Sequence, residues 1–469
     1  MRVSCSDMKQ LPGDDRLGSA RRDAVDVARI LALLVVVSGH LLLAVVDRPG
    51  GEVRAANLLA LQPHLVWLAV LAPMPVFFAA GGWANATSGL ARAAPRLRLL
   101  VGLAAVVVTV WSLAVGVVTL LDQEPGVVGD GARVATQPLW FLAAYLPLVA
   151  VGRHLARAAA ARPAVAVGAC LAGLALLDLA RFSRDAPGWV GWPGFFLAWG
   201  VPWLLGAWWR DRSENATRFS ERRAGATLLA GAGLVCVGLV QLLGYSPALI
   251  DAVPDARSNT TPPTLYTAWA GMAQVGALLM VAPRLDRAGD RWRGLWRRMG
   301  EAAVGIYVWH LTALAICVVA LAAGATVPER LTWPWWATRP LWWVAVLTIT
   351  GLLVGVTAFV RSGLARRSEG GLVRSAGPAR PATGVAVATL AAAVVGLRGP
   401  RTVTLAVICT ALFVGSWWLL SSPTTHRPVM PRPSPRLQGR SIQSHRDHCR
   451  DPGDVGVVGQ NRNVVPESH

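Results

Sequence analysis

The chain has 469 residues, 54 % of them hydrophobic and 15 % charged, with a formal net charge of +19. Long apolar runs recur along it, which excludes a soluble globular chain and places it among multi-span membrane proteins. The arginines are parcelled out between those runs and are not laid along one helix or interleaved with aromatics, so nucleic acid is excluded as a partner; topology and attraction to anionic membrane lipids are the tasks left to the charge.

Residues 1–24 are polar and mixed in charge, without the pattern of a cleavable signal peptide, and read as a short cytoplasmic segment. The first apolar run, Ala24 to Val46, carries Asp26, Arg29 and His40. At 3.6 residues per turn Arg29 and His40 share nearly one helix face, about 16 Å apart along the axis, and Asp26 lies within pairing distance of Arg29. Intramembrane ionisable groups are functional by default; the plainer alternatives are an Arg29 that snorkels to headgroups and a His40 that bonds a neighbouring helix.

Twelve spans are expected, at about 28–46, 64–83, 99–121, 138–152, 163–180, 190–209, 224–243, 265–283, 302–322, 341–360, 382–397 and 402–420. The fourth is too short unless its ends extend. The sixth is rich in tryptophan, as is the approach to the tenth around Trp335 and Trp342, where interfacial anchoring and sugar stacking are both open. The ninth carries Tyr307 and His310, which share a face. Between the last two, "RGPR" at 398–401 either joins two short spans or interrupts one irregular apolar element. Residues 361–420 read as a linker and these further spans, and 421–469 as a disordered Pro/Arg-rich cytoplasmic tail.

Segments on the side of the N-terminus carry three, three, five, six and five Lys or Arg; those on the other side carry two, one, two, one, two and two. This positive-inside bias puts both termini of a multi-pass cell-membrane protein in the cytoplasm. The six cysteines are isolated, no metal-ligand spacing appears, and no phosphate loop or dinucleotide fingerprint is present. The expected fold is an all-α polytopic bundle of about ten core helices with one or two additional C-terminal spans.

"VDVARILALLVVVSGH" (Val25 to His40) resembles the first helix of acyltransferase family 3, whose pattern of Asp, Arg and His is matched by Asp26, Arg29 and His40. "PMPVFFAAGGWANATSGLARAAPRLR" (Pro73 to Arg98) resembles that family's second span and the Arg-x-x-x-Arg after it, matched by Arg92 and Arg96; "LWFLAAYL" (Leu139 to Leu146) and the Tyr-x-x-His of Tyr307 and His310 follow in family order. One departure is Ala80, standing where relatives carry a serine. The resemblance implies a membrane acyltransferase domain over 25–360 that moves an acyl group, commonly acetyl, onto a hydroxyl of a carbohydrate or other extracytoplasmic small-molecule acceptor.

For such a reaction a neutral His40 is the candidate base, with Asp26, Arg29, Tyr307 and His310 in the catalytic set. Arg92 and Arg96, one turn apart, are candidates to clamp the phosphates of acetyl-CoA or another acyl-CoA, against ordinary flanking charge as the alternative; no metal is expected. The rival class is a transporter or acyl shuttle, against which stands the lack of a repeated pattern of broken helices in the two halves.

Overall fold

In hydrocarbon a backbone has no water to bond to, so a chain of this composition must satisfy its amides within helices. A computed structural model describes residues 22–420 apart from 48–53, 88, 122–125, 184–186, 216–218, 251–257, 323–327 and 368–378. The tail expected at 421–469 and most of the N-terminal segment lie outside the described residues. The elements run α1 (Asp23–Leu43), an antiparallel ribbon of β1 (Ala44–Asp47) and β2 (Arg54–Asn57), a turn of helix α2 (Leu58–Leu61), a 3-10 stretch (Pro63–Leu71) and α3 (Met74–Asn85). They continue with α4 (Leu90–Leu120), α5 (Gly126–Thr136), α6 (Trp140–Ala161), α7 (Pro163–Ser183), α8 (Gly194–Asn215), α9 (Glu221–Leu243) and α10 (Leu265–Arg291). Last come α11 (Arg293–Ala322), the short α12 (Trp333–Ala337), α13 (Arg339–Arg367), α14 (Ala379–Arg398) and α15 (Val403–Leu420).

Among the described residues, eleven helical segments are long and apolar enough to cross a membrane. The difference from the twelve expected is α8, which has the length but carries four tryptophans and a charged last turn that dilute its apolarity. It is nevertheless the most enclosed helix: Trp199, Trp203 and Trp209 are buried, and α3, α6, α7 and α10 pack around it. The short fourth span is completed at its C-terminal end, since α6 runs through Pro147 to Ala161 and carries Arg153 and Arg157 as helical residues, and at its start by the 3-10 turn Gln137–Leu139. Likewise α4 starts at Leu90, so Arg92 and Arg96 sit on its first turns and not in a connecting segment. The "RGPR" stretch separates two helices, with Gly399 at φ +63°, a left-handed turn suited to glycine. α14 packs on α6 and α15 on α4.

Packing follows membrane logic, in which small residues let helix backbones approach because no hydrophobic gain drives helices together. A Cβ placed on Gly82 would collide with the Trp203 carbonyl, and one on Gly206 with the Ala79 carbonyl. The "AAGG" stretch is thus the seat on which α8 rests. Ala80 is buried there with Ala79, facing a core that also takes Trp83, Leu204 and Trp209. A second interior cluster surrounds Phe78, Trp199 and Trp203 and extends to α4, α6, α14 and α15. Large apolar side chains left outside, such as Leu113, Leu234, Leu352 and Phe359, face where lipid would be.

This seat yields a stability prediction. Gly206→Ala should force α3 and α8 apart and lower the thermal transition of the detergent-solubilised protein by the equivalent of about 1–3 kcal/mol or more, the range for overpacking. Gly231→Ala in α9, where an added Cβ meets nothing within 4 Å, should stay within about 0.5 kcal/mol of wild type. Equal transitions for the two variants would contradict the close approach of α3 and α8.

Candidate functional site

α1 and α11 begin at the same end of the bundle, where Asp23 pairs with Arg293 at 3.2 Å. His40 and His310 lie equally far into these helices, about 26 Å from their first residues at 1.5 Å per residue. Leu33, Val37 and Leu41 of α1 pack against Leu311, Leu314 and Cys317 of α11 and Trp342 of α13, and this contact holds the two histidines face to face.

His40 Nδ1 and His310 Nε2 are 2.9 Å apart, and the rings stack with centroids 5.1 Å apart at 24°. His310 Nδ1 lies 2.8 Å from the Tyr307 carbonyl oxygen and 3.2 Å from that of Ile306. Carbonyl oxygens only accept, so His310 carries its proton on Nδ1 and, as a neutral ring, presents a lone pair at Nε2. His40 must then donate from Nδ1, which leaves the lone pair of the neutral ring on Nε2. His310 is fully buried while His40 is half-buried. The pair therefore has a buried, oriented member and a more open member whose second ring nitrogen, Nε2, keeps a lone pair.

Tyr307 donates its hydroxyl to the Pro138 carbonyl at 2.7 Å, and its ring meets Phe141 edge-on at 5.9 Å and His310 at 6.1 Å. Pro138 belongs to the 3-10 turn leading into α6, so the turn just before the "LWFLAAYL" stretch fixes α11 through Tyr307. Trp111 adds a bond to Thr312 at 3.1 Å. Phe77, Phe78, Phe141 and Tyr145 stack into a wall beside this point, with Phe78 against Trp199 at 4.8 Å.

The other expected residues lie apart from the histidines. Arg29 pairs with Asp26 at 3.5 Å, with 42 % of its side chain exposed, about three turns below His40. Arg92 and Arg96 are exposed on α4, and neither has an ion pair among the described residues. What sequence reasoning missed is Arg22. Its guanidinium binds both carboxylate oxygens of Glu221, reaches Asp286 at 2.7 Å and covers the rings of Trp83 and Trp209 at 5.5 and 5.0 Å. Burial opposes its charge, but Glu221 and Asp286 outweigh that and raise its pKa above the ordinary arginine value. Asp286 also caps α1 by accepting from the Ala24 amide at 2.8 Å. No signal in the sequence separated Arg22 from the other charges of the polar N-terminal stretch.

The model of an acyltransferase domain, that of acyltransferase family 3, matches residues 22–361. No curated protein and no solved structure matches the chain significantly. The matched region opens at Arg22 and contains the histidine pair, the aromatic wall and every candidate residue named above.

The proton arrangement is measurable. Nitrogen-15 spectra of ring-labelled histidine at neutral pH, assigned with single His40→Gln and His310→Gln variants, should show both rings protonated at Nδ1 and bare at Nε2. A His40 ring protonated at Nε2 and bare at Nδ1 would reverse the bond between the rings and remove the free lone pair on Nε2.

Proposed function

The chain belongs to acyltransferase family 3 and is a membrane acyltransferase; on that premise we propose that it transfers an acyl group, acetyl from acetyl-CoA, to a hydroxyl of a carbohydrate or other small-molecule acceptor outside the cytoplasm. The observation that carries this reading is the bond from His40 Nδ1 to His310 Nε2, which leaves the lone pair of His40 Nε2 free. His40 Nε2 takes the hydroxyl proton as the acceptor oxygen bonds to the thioester carbonyl carbon, and the carbonyl electron pair moves onto oxygen. Collapse of that tetrahedral species breaks the carbon–sulfur bond, and the proton held by His40 passes to the departing thiolate. An ester and a free thiol result, with His40 neutral again.

His310 is a positioning residue in this scheme. It holds the His40 ring in one tautomer and orientation, and its Nε2 goes on accepting from the imidazolium that forms in the transition state, the role the aspartate carboxylate plays in a Ser-His-Asp triad. A neutral imidazole is a weaker partner than a carboxylate, but in a site that excludes water it avoids burying a permanent charge. Tyr307 holds α11 through Pro138. Asp26 and Arg29 order the start of the helix face that leads to His40, and Arg92 and Arg96, exposed on the first turns of α4, supply flanking charge at the cytoplasmic end. The arginine-rich ends of the helices face the cytoplasm in this reading, with both termini on that side, and His40 lies in the outer half of the membrane.

The test is transfer of labelled acetyl from acetyl-CoA by purified protein in lipid nanodiscs to a panel of sugar acceptors. His40→Ala, inserted and melting like wild type, should lose about 100-fold or more in kcat, the scale of general acid–base help. Near-normal turnover of that variant across pH 6–9 would remove His40 from the base role and leave it a packing residue.

A further inference from the structure

At the end of the bundle where α1 starts, a cleft of about 520 Å³ opens between α1, α8, α9 and α10, lined by Arg22, Arg212, Ser213, Phe219, Glu221 and Arg222 among others. Its size falls within the roughly 300–1,000 Å³ of small-molecule sites. The charges in it are arranged unequally. Glu221, the one acidic lining group among the described residues, accepts from both terminal nitrogens of Arg22, from Trp209 Nε1 at 2.8 Å and from Ser213 Oγ at 3.4 Å. Nearby, Glu214 is held by Arg210 at 3.0 Å and Asp211 by Asn215 at 3.0 Å. Arg212 and Arg222 have no acidic partner among the described residues, so two guanidiniums at the wall of the cleft keep donors for an anion, although Asp211, bonded to the neutral Asn215, keeps its own charge next to Arg212.

We infer that this cleft is a phosphate-binding site that receives the nucleotide end of the acyl-CoA donor, with Arg212 and Arg222 as its grips. The inference rests on the transferase reading above and names where the donor is held. Arg22 is not a grip, because Glu221 and Asp286 consume its donors; its task is to turn the lone carboxylate of the lining away from an incoming anion. Paired guanidiniums suit phosphate because each offers two parallel donors and keeps its charge at any working pH. Two helices begin in the wall of this cleft, α9 at Glu221 and α1 beside Arg22, and α1 carries His40 at its far end. A donor anchored by its phosphates here has its thioester arm free to follow α1 toward the histidines. A phospholipid headgroup shares the same chemistry, and the test separates the two sources.

The experiment titrates coenzyme A into the full-length protein in phosphatidylcholine nanodiscs at two ionic strengths, for wild type, Arg212→Gln/Arg222→Gln and Arg212→Lys/Arg222→Lys. The Gln variant should bind about 10-fold more weakly or worse, with a shallower salt dependence, and the Lys variant should recover part of the loss, because charge is kept without the fork. KM for acetyl-CoA should rise with it while kcat changes little. Unchanged affinity for coenzyme A in the Gln variant overturns the inference, as does loss of co-purifying phosphatidylglycerol with coenzyme A binding intact, which would assign the cleft to lipid. Acetyl transfer by a wild type whose coenzyme A affinity ignores these arginines removes the cleft and leaves the transferase reading. Binding that depends on them in a protein that transfers nothing does the reverse.

Discussion

A polar side chain inside a membrane has no water to complete its hydrogen bonds, and much of the architecture of this protein follows from meeting that demand with protein groups, though buried indole nitrogens such as those of Trp199 and Trp203 find no partner among the described residues. Threonines such as Thr109 and Thr350 turn back onto carbonyls of their own helices, Asn85 bonds the Gly81 carbonyl, and Tyr307 spends its hydroxyl on Pro138. His310 is under the same constraint on both ring nitrogens. Its Nδ1 is taken by its own helix, so its Nε2 must find a donor, and the donor it finds is His40 on another helix. The constraint that satisfies His310 completely is the one that leaves His40 with a free lone pair on Nε2. On the proposed reading, satisfaction of a buried group and preparation of a reactive one are a single event.

That event depends on helices being held at fixed depth and rotation. α1 is pinned at its start by Asp286 and Arg22, and at its far half by the leucine and valine contacts to α11 and α13. α11 is pinned through Tyr307 to the turn before α6, and α6 packs on α8, which rests on the glycine seat of α3. A shift of one residue along any of these helices would rotate a histidine by about 100° and break the pair. The tight backbone approach of α3 and α8, far from the chemistry in sequence, therefore belongs to the positioning of the site.

Much of this was legible in the chain and some was not, for reasons that can be named. Hydropathy reveals helices that face lipid, and it located α1, α9 and α13 well; α8 faces protein on nearly all sides, so its tryptophans and terminal charges weaken the apolar signal of the helix that is most enclosed. Periodicity correctly put Asp26 beside Arg29, because that pairing is local to one helix. The contact between His40 and His310 joins residues 270 positions apart, and periodicity gives each helix a face without saying which helix it meets. Arg22 illustrates the opposite error. In a basic segment beside a span it looks like ordinary flanking charge, and only the fold shows Glu221 and Asp286 converging on it. Ala80 read only as a departure from the serine of relatives, whereas in the fold it belongs to a stretch of small residues on which another helix sits.

The central claim is that the two histidines act as one unit, and a double-mutant cycle tests it most directly. Acetyl transfer should be measured for wild type, His40→Ala, His310→Ala and the double variant, each verified by its thermal transition. If His310 acts only through His40, the loss on removing His310 should be large in wild type and close to nil once His40 is gone, so the double variant matches His40→Ala. Losses that multiply in the double variant would show the histidines working independently, and the hydrogen bond between their rings would carry no part of the chemistry.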